Sequence, residues 1–95
     1  MTLSGTAAAS MQAGPYDPPQ DRPIWLTLAG TWTGAVQVMR SVDGGNTIAP
    51  LTAGGELYAR FTGNCCEEIA VESDGRARYY LEITVATGAV EYDLG

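Results

Sequence analysis

The sequence predicts an all-β domain: a small sandwich of about seven strands, of the jelly-roll or immunoglobulin-like kind, behind an extended N-terminal arm. Three observations carry this. From residue 24 onward, apolar side chains recur with period two. The alternating stretches are short and bounded by Gly, Asn and Asp clusters. No window repeats at helical spacing.

Residues 1–23 stand apart. They hold Pro15, Pro18, Pro19 and Pro23 with several Gly, Ser and Ala and few large apolar side chains. Proline removes backbone donors and pushes the preceding residue to extended geometry, so the segment reads as an arm rather than a helix. Such an arm cannot offset its own ordering entropy and is expected to lie on a neighbouring subunit, the alternative being packing along its own domain. Residues 24–95 form the predicted sandwich domain. Residues 24–28 read as its first strand. Residues 31–41 follow, with Trp32, Val36 and Val38 on one face and Thr33, Gln37 and Met39 on the other. Leu57, Ala59 and Phe61 alternate with Glu56, Tyr58 and Arg60, and Ile69 and Val71 with Glu68, Ala70 and Glu72. Residues 79–85 and 90–94 complete the set. The turns are placed at Asp43-Gly44-Gly45-Asn46, Gly54-Gly55, Gly63-Asn64, Ser73-Asp74-Gly75 and Gly88, with Asp74-Gly75 the hairpin signal between two strands.

Composition narrows the function. A chain of 95 residues supports one small domain, too small for a deep enzyme cleft. Five Arg face eleven Asp plus Glu, and the net charge of −6 argues against nucleic-acid phosphates or anionic membranes as partners. There is no His, the commonest general base and metal ligand. Together these point away from an enzyme, a cofactor or a metal. Residues 1–9 lack a basic n-region and a long apolar core, so no secretory signal is read there. The two cysteines, Cys65 and Cys66, are adjacent, which suits a reducing cytoplasm and not a disulfide framework. Neighbours on a strand face opposite ways, so one buried and one exposed free thiol are expected.

The sharpest motif is Ser41-Val42-Asp43-Gly44-Gly45-Asn46-Thr47-Ile48. It resembles the Asp-box, S-x-D-x-G-x-T-W, with Ile48 in the aromatic position. Ser41, Asp43, Gly45 and Thr47 are the candidate turn residues: carboxylate and hydroxyls bond backbone donors while glycine takes a conformation other residues resist. Sialidases carry repeated copies remote from catalysis, so the resemblance implies a stable hairpin and not a glycosidase.

A wider resemblance starts in the same region. Gly30-Thr31-Trp32-Thr33-Gly34-Ala35-Val36-Gln37-Val38-Met39-Arg40-Ser41-Val42-Asp43-Gly44-Gly45-Asn46-Thr47 resembles a W-x-G-x-V-x-L-x-R-S-x-D-G-G-x-T pattern of small virion proteins of tailed bacteriophages. Residues 78–92, Arg78-Tyr79-Tyr80-Leu81 through Gly88, Val90 and Tyr92, are similar to their Y-R-L-x-x-x-x-x-x-G-x-V-x-Y ending. The similarity departs at Met39 and Ile48 and does not reach the arm. It implies a structural virion protein made in the host cytoplasm, a capsid decoration or cement that binds the major capsid protein or other virion proteins. Homo-oligomerisation is implied with it, a trimer by analogy with many shell decorations. The alternatives are a low-copy tail or head-tail connector component, and a carbohydrate-binding module for host attachment.

Two further sets complete the candidates. Glu67, Glu68, Glu72 and Asp74, with Glu82, Glu91 and Asp93, lack the D-x-D-x-D-G spacing of a calcium loop. They read as a solvated face, or as partners for Arg60, Arg76 and Arg78 of a neighbour. Met11, Tyr16 and Arg22 of the arm, with Trp25, Tyr58 and Tyr80, are the candidate partner-binding residues, because aromatics, Met and Arg are enriched in interface centres.

Overall fold

The computed structural model describes residues 2–95, and these form an all-β structure without a helix. Nine strands follow in order: β1 (Leu3–Ala7), β2 (Met11–Tyr16), β3 (Pro23–Ser41), β4 (Ala49–Pro50), β5 (Thr52–Ala53), β6 (Glu56–Leu57), β7 (Arg60–Phe61), β8 (Cys65–Val71) and β9 (Arg78–Leu94). β5 and β6 make a small hairpin of their own, and the other seven form one sheet.

Two strands organise everything. β3 has 19 residues and β9 has 17, and they pair antiparallel from Leu26↔Leu94 to Ser41↔Arg78. A straight 19-residue strand would run about 60 Å, yet the molecule measures 35 Å along its longest axis. The pair must therefore bend. It does so where the register shifts between Thr33 and Gly34, with Gly34 at φ 144° and Gly88 at φ 78°. A Cβ on Gly34 would collide with the Thr84 carbonyl, and one on Gly88 with the Thr31 carbonyl. Only glycine lets the backbones cross so closely.

The bend turns one sheet into two layers. The first half of β3 and the second half of β9 are flanked by β8 and β1. The second half of β3 and the first half of β9 are flanked by β4, β7 and β2. Ile24, Leu26, Leu28, Val90 and Leu94 of the first layer share one buried cluster with Val36, Val38, Tyr79, Leu81 and Ile83 of the second. Residues 24–28 and 31–41 are thus one bent strand rather than two, as are 79–85 and 90–94. Gly88 has the positive φ expected of it, but inside a strand and not in a turn.

The N-terminal segment is where the structure departs most from expectation. Of residues 1–23, residue 1 lies outside the described residues, and the rest carry two strands and are not an arm outside the domain. β1 pairs with residues 90–94 of β9 and β2 with residues 79–83, so the segment follows β9 through its bend. Ala7, Ala13 and Tyr16 are buried in the common core. The prolines fit because β2 is an edge strand, and Pro15 falls in the register shift between Ala13 and Tyr16, where the ladder is interrupted. Near the bend, Val85 N–H donates to Ser10 Oγ at 3.1 Å.

A second departure concerns Asp74-Gly75. It does not close a hairpin, because β8 and β9 each pair with β3 and not with one another. The connection instead crosses from the first layer to the second. Gly54-Gly55 does close a hairpin, between Ala53 and Glu56, with both glycines at positive φ.

Candidate interaction surface

The Asp-box-like turn closes on itself. The Ser41 hydroxyl donates to Asp43 Oδ1 at 2.8 Å, and its oxygen accepts from Gly45 N–H at 3.0 Å. Asp43 Oδ1 also accepts from Thr47 N–H at 2.9 Å. The Thr47 amide and the Ser41 hydroxyl hold the Asp43 carboxyl below the usual carboxylate range. Gly45 has φ 93°, and a Cβ there would lie 2.8 Å from the Tyr80 hydroxyl. The loop is therefore seated on Tyr80. Its donors and acceptors are spent internally, which makes it a structural turn.

The residue that sequence reasoning misplaced most is Glu72. Far from a solvated face, it is 6% exposed. Its Oε1 accepts from Arg40 Nε at 2.6 Å and from the Tyr79 hydroxyl at 2.8 Å. Its Oε2 accepts from Arg40 Nη2 at 2.9 Å and from Asp74 N–H at 3.0 Å. The Arg40 guanidinium, above all, holds the carboxyl down at about 2, and burial with the Glu72 bond pushes the Tyr79 phenol up. A general acid needs the opposite shift. Glu72 is a clamp: it fixes the crossing from β8 to β9 against β3.

Two further ion pairs lie within the chain. Arg76 meets Asp74 at 2.8 Å, and Arg78 meets Asp17 at 3.3 Å. Among the described residues Arg22 and Arg60 have no ion pair. Glu67, Glu68, Glu82, Glu91 and Asp93 are exposed, and among the described residues no three Cys, Asp or Glu side chains converge as metal ligands. Cys65 is half-buried, and burial raises its thiol pKa. Cys66 is exposed on the opposite face, with the Thr27 hydroxyl donating to its Sγ at 3.5 Å.

The nominated partner-binding residues do not form one site. Tyr16 and Tyr80 are buried, 5% and 7% exposed. Tyr16 is in the core because β2 is part of the sheet. Tyr80 points away from the core but is roofed by the Asp-box loop and by Gly14 of β2. Met11, Arg22, Trp25 and Tyr58 are exposed. They are scattered: Met11 on β2, Arg22 and Trp25 at the start of β3, Tyr58 beyond the β5–β6 hairpin.

Two exposed apolar side chains escaped the pattern. Val71 is 55% exposed because a bulge puts Ile69 between the pairs Trp25↔Glu68 and Ile24↔Ala70. The alternation flips after it, sending Val71 out and Glu72 in. Val71, Pro23 and Trp25 thus share the outer face at the β3–β8 edge. Leu57 is exposed on the hairpin. Two shallow hollows accompany these features. One, of about 350 Å³, is lined by Ser4, Thr6, Thr27, Glu91 and Asp93 among others, and one of about 290 Å³ by Gln37, Met39, Pro50, Leu57, Arg60 and Glu82. No family model, curated protein or solved structure matches the chain.

Proposed function

We propose that the chain is a structural protein of a tailed-bacteriophage virion, a decoration or cement that binds the assembled capsid. The observation that carries this reading joins sequence to fold. Of the two separated stretches that resemble phage virion proteins, residues 30–41 lie on β3 and pair directly with residues 78–92 of β9, and residues 42–47 form the turn that follows β3. They are one structural unit, the bent pair on which the domain is built. The docking mechanism follows from the exposed face and not from a free arm. Trp25 and Val71, with Pro23 between β2 and the body of β3, form an apolar patch on a rigid sheet edge. Aromatic anchors of this kind carry a large share of binding energy, and a rigid sheet loses little entropy on docking.

The test is co-sedimentation of the full chain with assembled shells. Trp25→Ala and Val71→Asp alter only exposed side chains, so both should fold and both should lose shell binding. Undiminished binding by both variants would rule out this face. One observation favours a second reading, a carbohydrate-binding module: exposed Trp25 stands beside Thr27 and Glu68, a stacking platform flanked by polar groups. Binding to a glycan array that disappears in Trp25→Ala would select it.

A further inference from the structure

The hollow beside the β5–β6 hairpin is lined by one basic and one acidic side chain, Arg60 and Glu82. Gln37 is paired with Arg60 of β7 on one side and with Glu82 of β9 on the other. Directly opposed residues of antiparallel strands share a face, so Arg60, Gln37 and Glu82 form a row across the sheet. With strands about 4.8 Å apart, the two charges stand about 10 Å apart on either side of Gln37. Both are exposed, and neither has an ion pair among the described residues. Gln37 itself is 5% exposed. Its Nε2 donates to the carbonyls of Tyr58 at 2.7 Å and Val38 at 3.0 Å, which anchors the base of the hairpin. Its Oε1 has no hydrogen-bond partner. Leu57, 58% exposed, stands at the wall of the same hollow with Met39 and Pro50.

We infer that this face binds a second copy of the chain, through a twofold axis running along β3. Rotation about that axis inverts the row. The partner copy's Arg60 then faces Glu82, and the partner's Glu82 faces Arg60. An axis across the strands would instead set Arg60 on Arg60. A guanidinium offers five donors in a planar fork, so the incoming Arg60 can meet the exposed Glu82 carboxylate with two parallel bonds. The pairing closes as a dimer because the surface is complementary to itself. Charge selects this face over the rest. Each chain carries −6, and the outer face of the other layer presents Glu68, Glu91 and Asp93, where two copies would repel. The Arg60–Gln37–Glu82 row is neutral.

Sedimentation velocity on the full chain tests this with four proteins: wild type, Arg60→Glu, Glu82→Arg, and the double charge swap. All changes are at exposed positions, and thermal melts check that each variant folds. Wild type is expected to dimerise. Each single variant sets like charges face to face and should weaken the dimer by about tenfold or more. The double variant restores opposite charges and should recover the dimer. A wild type monomeric at about 1 mM, where even weak pairing is populated, would overturn the inference. So would single variants that associate like wild type, or a double variant that does not recover. A monomeric wild type whose Arg60→Glu variant loses shell binding would assign the face to the shell protein, and would equally overturn the pairing.

Discussion

Glu72 concentrates the residue-scale energetics of the domain. It is a buried carboxylate with four hydrogen-bond donors, two of them from one guanidinium. Its pKa is moved from 4.5 down to about 2. Folding therefore favours its ionised form, and the stability this contributes is complete above the ordinary carboxylate value. It is lost as the pH falls through that value toward 2. The shift corresponds to an upper bound of about 3 kcal/mol, reduced in practice because the Arg40 side chain is 35% exposed. Asp43 and Asp74 are also held down, so acid destabilises the fold in the same direction. Glu72→Gln should lower the urea midpoint at pH 7 and flatten the dependence between pH 5 and about pH 2. An unchanged pH profile in the variant would mean that the clamp does not hold the crossing. None of this was legible in the sequence. Glu72 follows Glu67 and Glu68 in an acidic run; its partner Arg40 is 32 residues away, and Tyr79 lies on the next long strand. They meet it only because β3 and β9 pair Arg40 with Tyr79.

Among the elements, the period-two alternation was readable wherever a strand has one buried face, as in Leu81 and Ile83 or Leu26 and Leu28. What escaped was continuity. Gly30 falls between two predicted strands, Gly34 reads as an ordinary strand position and Gly88 as a turn, yet each sits inside a long strand with a positive φ. Gly34→Ala and Gly88→Ala should each cost about 3 kcal/mol or more, because they add a carbonyl collision to an unfavourable φ. Gly44→Ala has open space around its Cβ and only the φ cost, about 1–2 kcal/mol. Equal melting temperatures across the three variants would contradict the bend. The bulge at Ile69 was likewise invisible, and it reversed the faces of Val71 and Glu72. The N-terminal strands were missed for a different reason. Their core residues, Ala7 and Ala13, are small, and the prolines around Tyr16 mask the pattern. Deleting residues 1–22 strips a flanking strand from both layers. The truncated chain should lose its cooperative thermal transition; a truncated chain that melts cooperatively would return the segment to the status of an arm.

For the molecule as a whole, the ordered N-terminal strands bear on the docking proposed above. A segment spent on the core cannot reach across a shell, so under that proposal contact rests on rigid surfaces: the Trp25–Val71 edge and the row across Gln37. These lie on different layers of the sandwich. A dimer through one leaves both copies of the other free, and two linked copies on a repeating lattice bind more tightly than one. The net charge of −6 adds a condition to that proposal: the shell's binding patch is neutral or basic. The central claim is that this domain is a repeated part of a virion shell. Its most direct measurement is the copy number of the chain in purified particles, by quantitative mass spectrometry against the major capsid protein. The account predicts a ratio of one or a simple fraction of it; a handful of copies, or none, would contradict it.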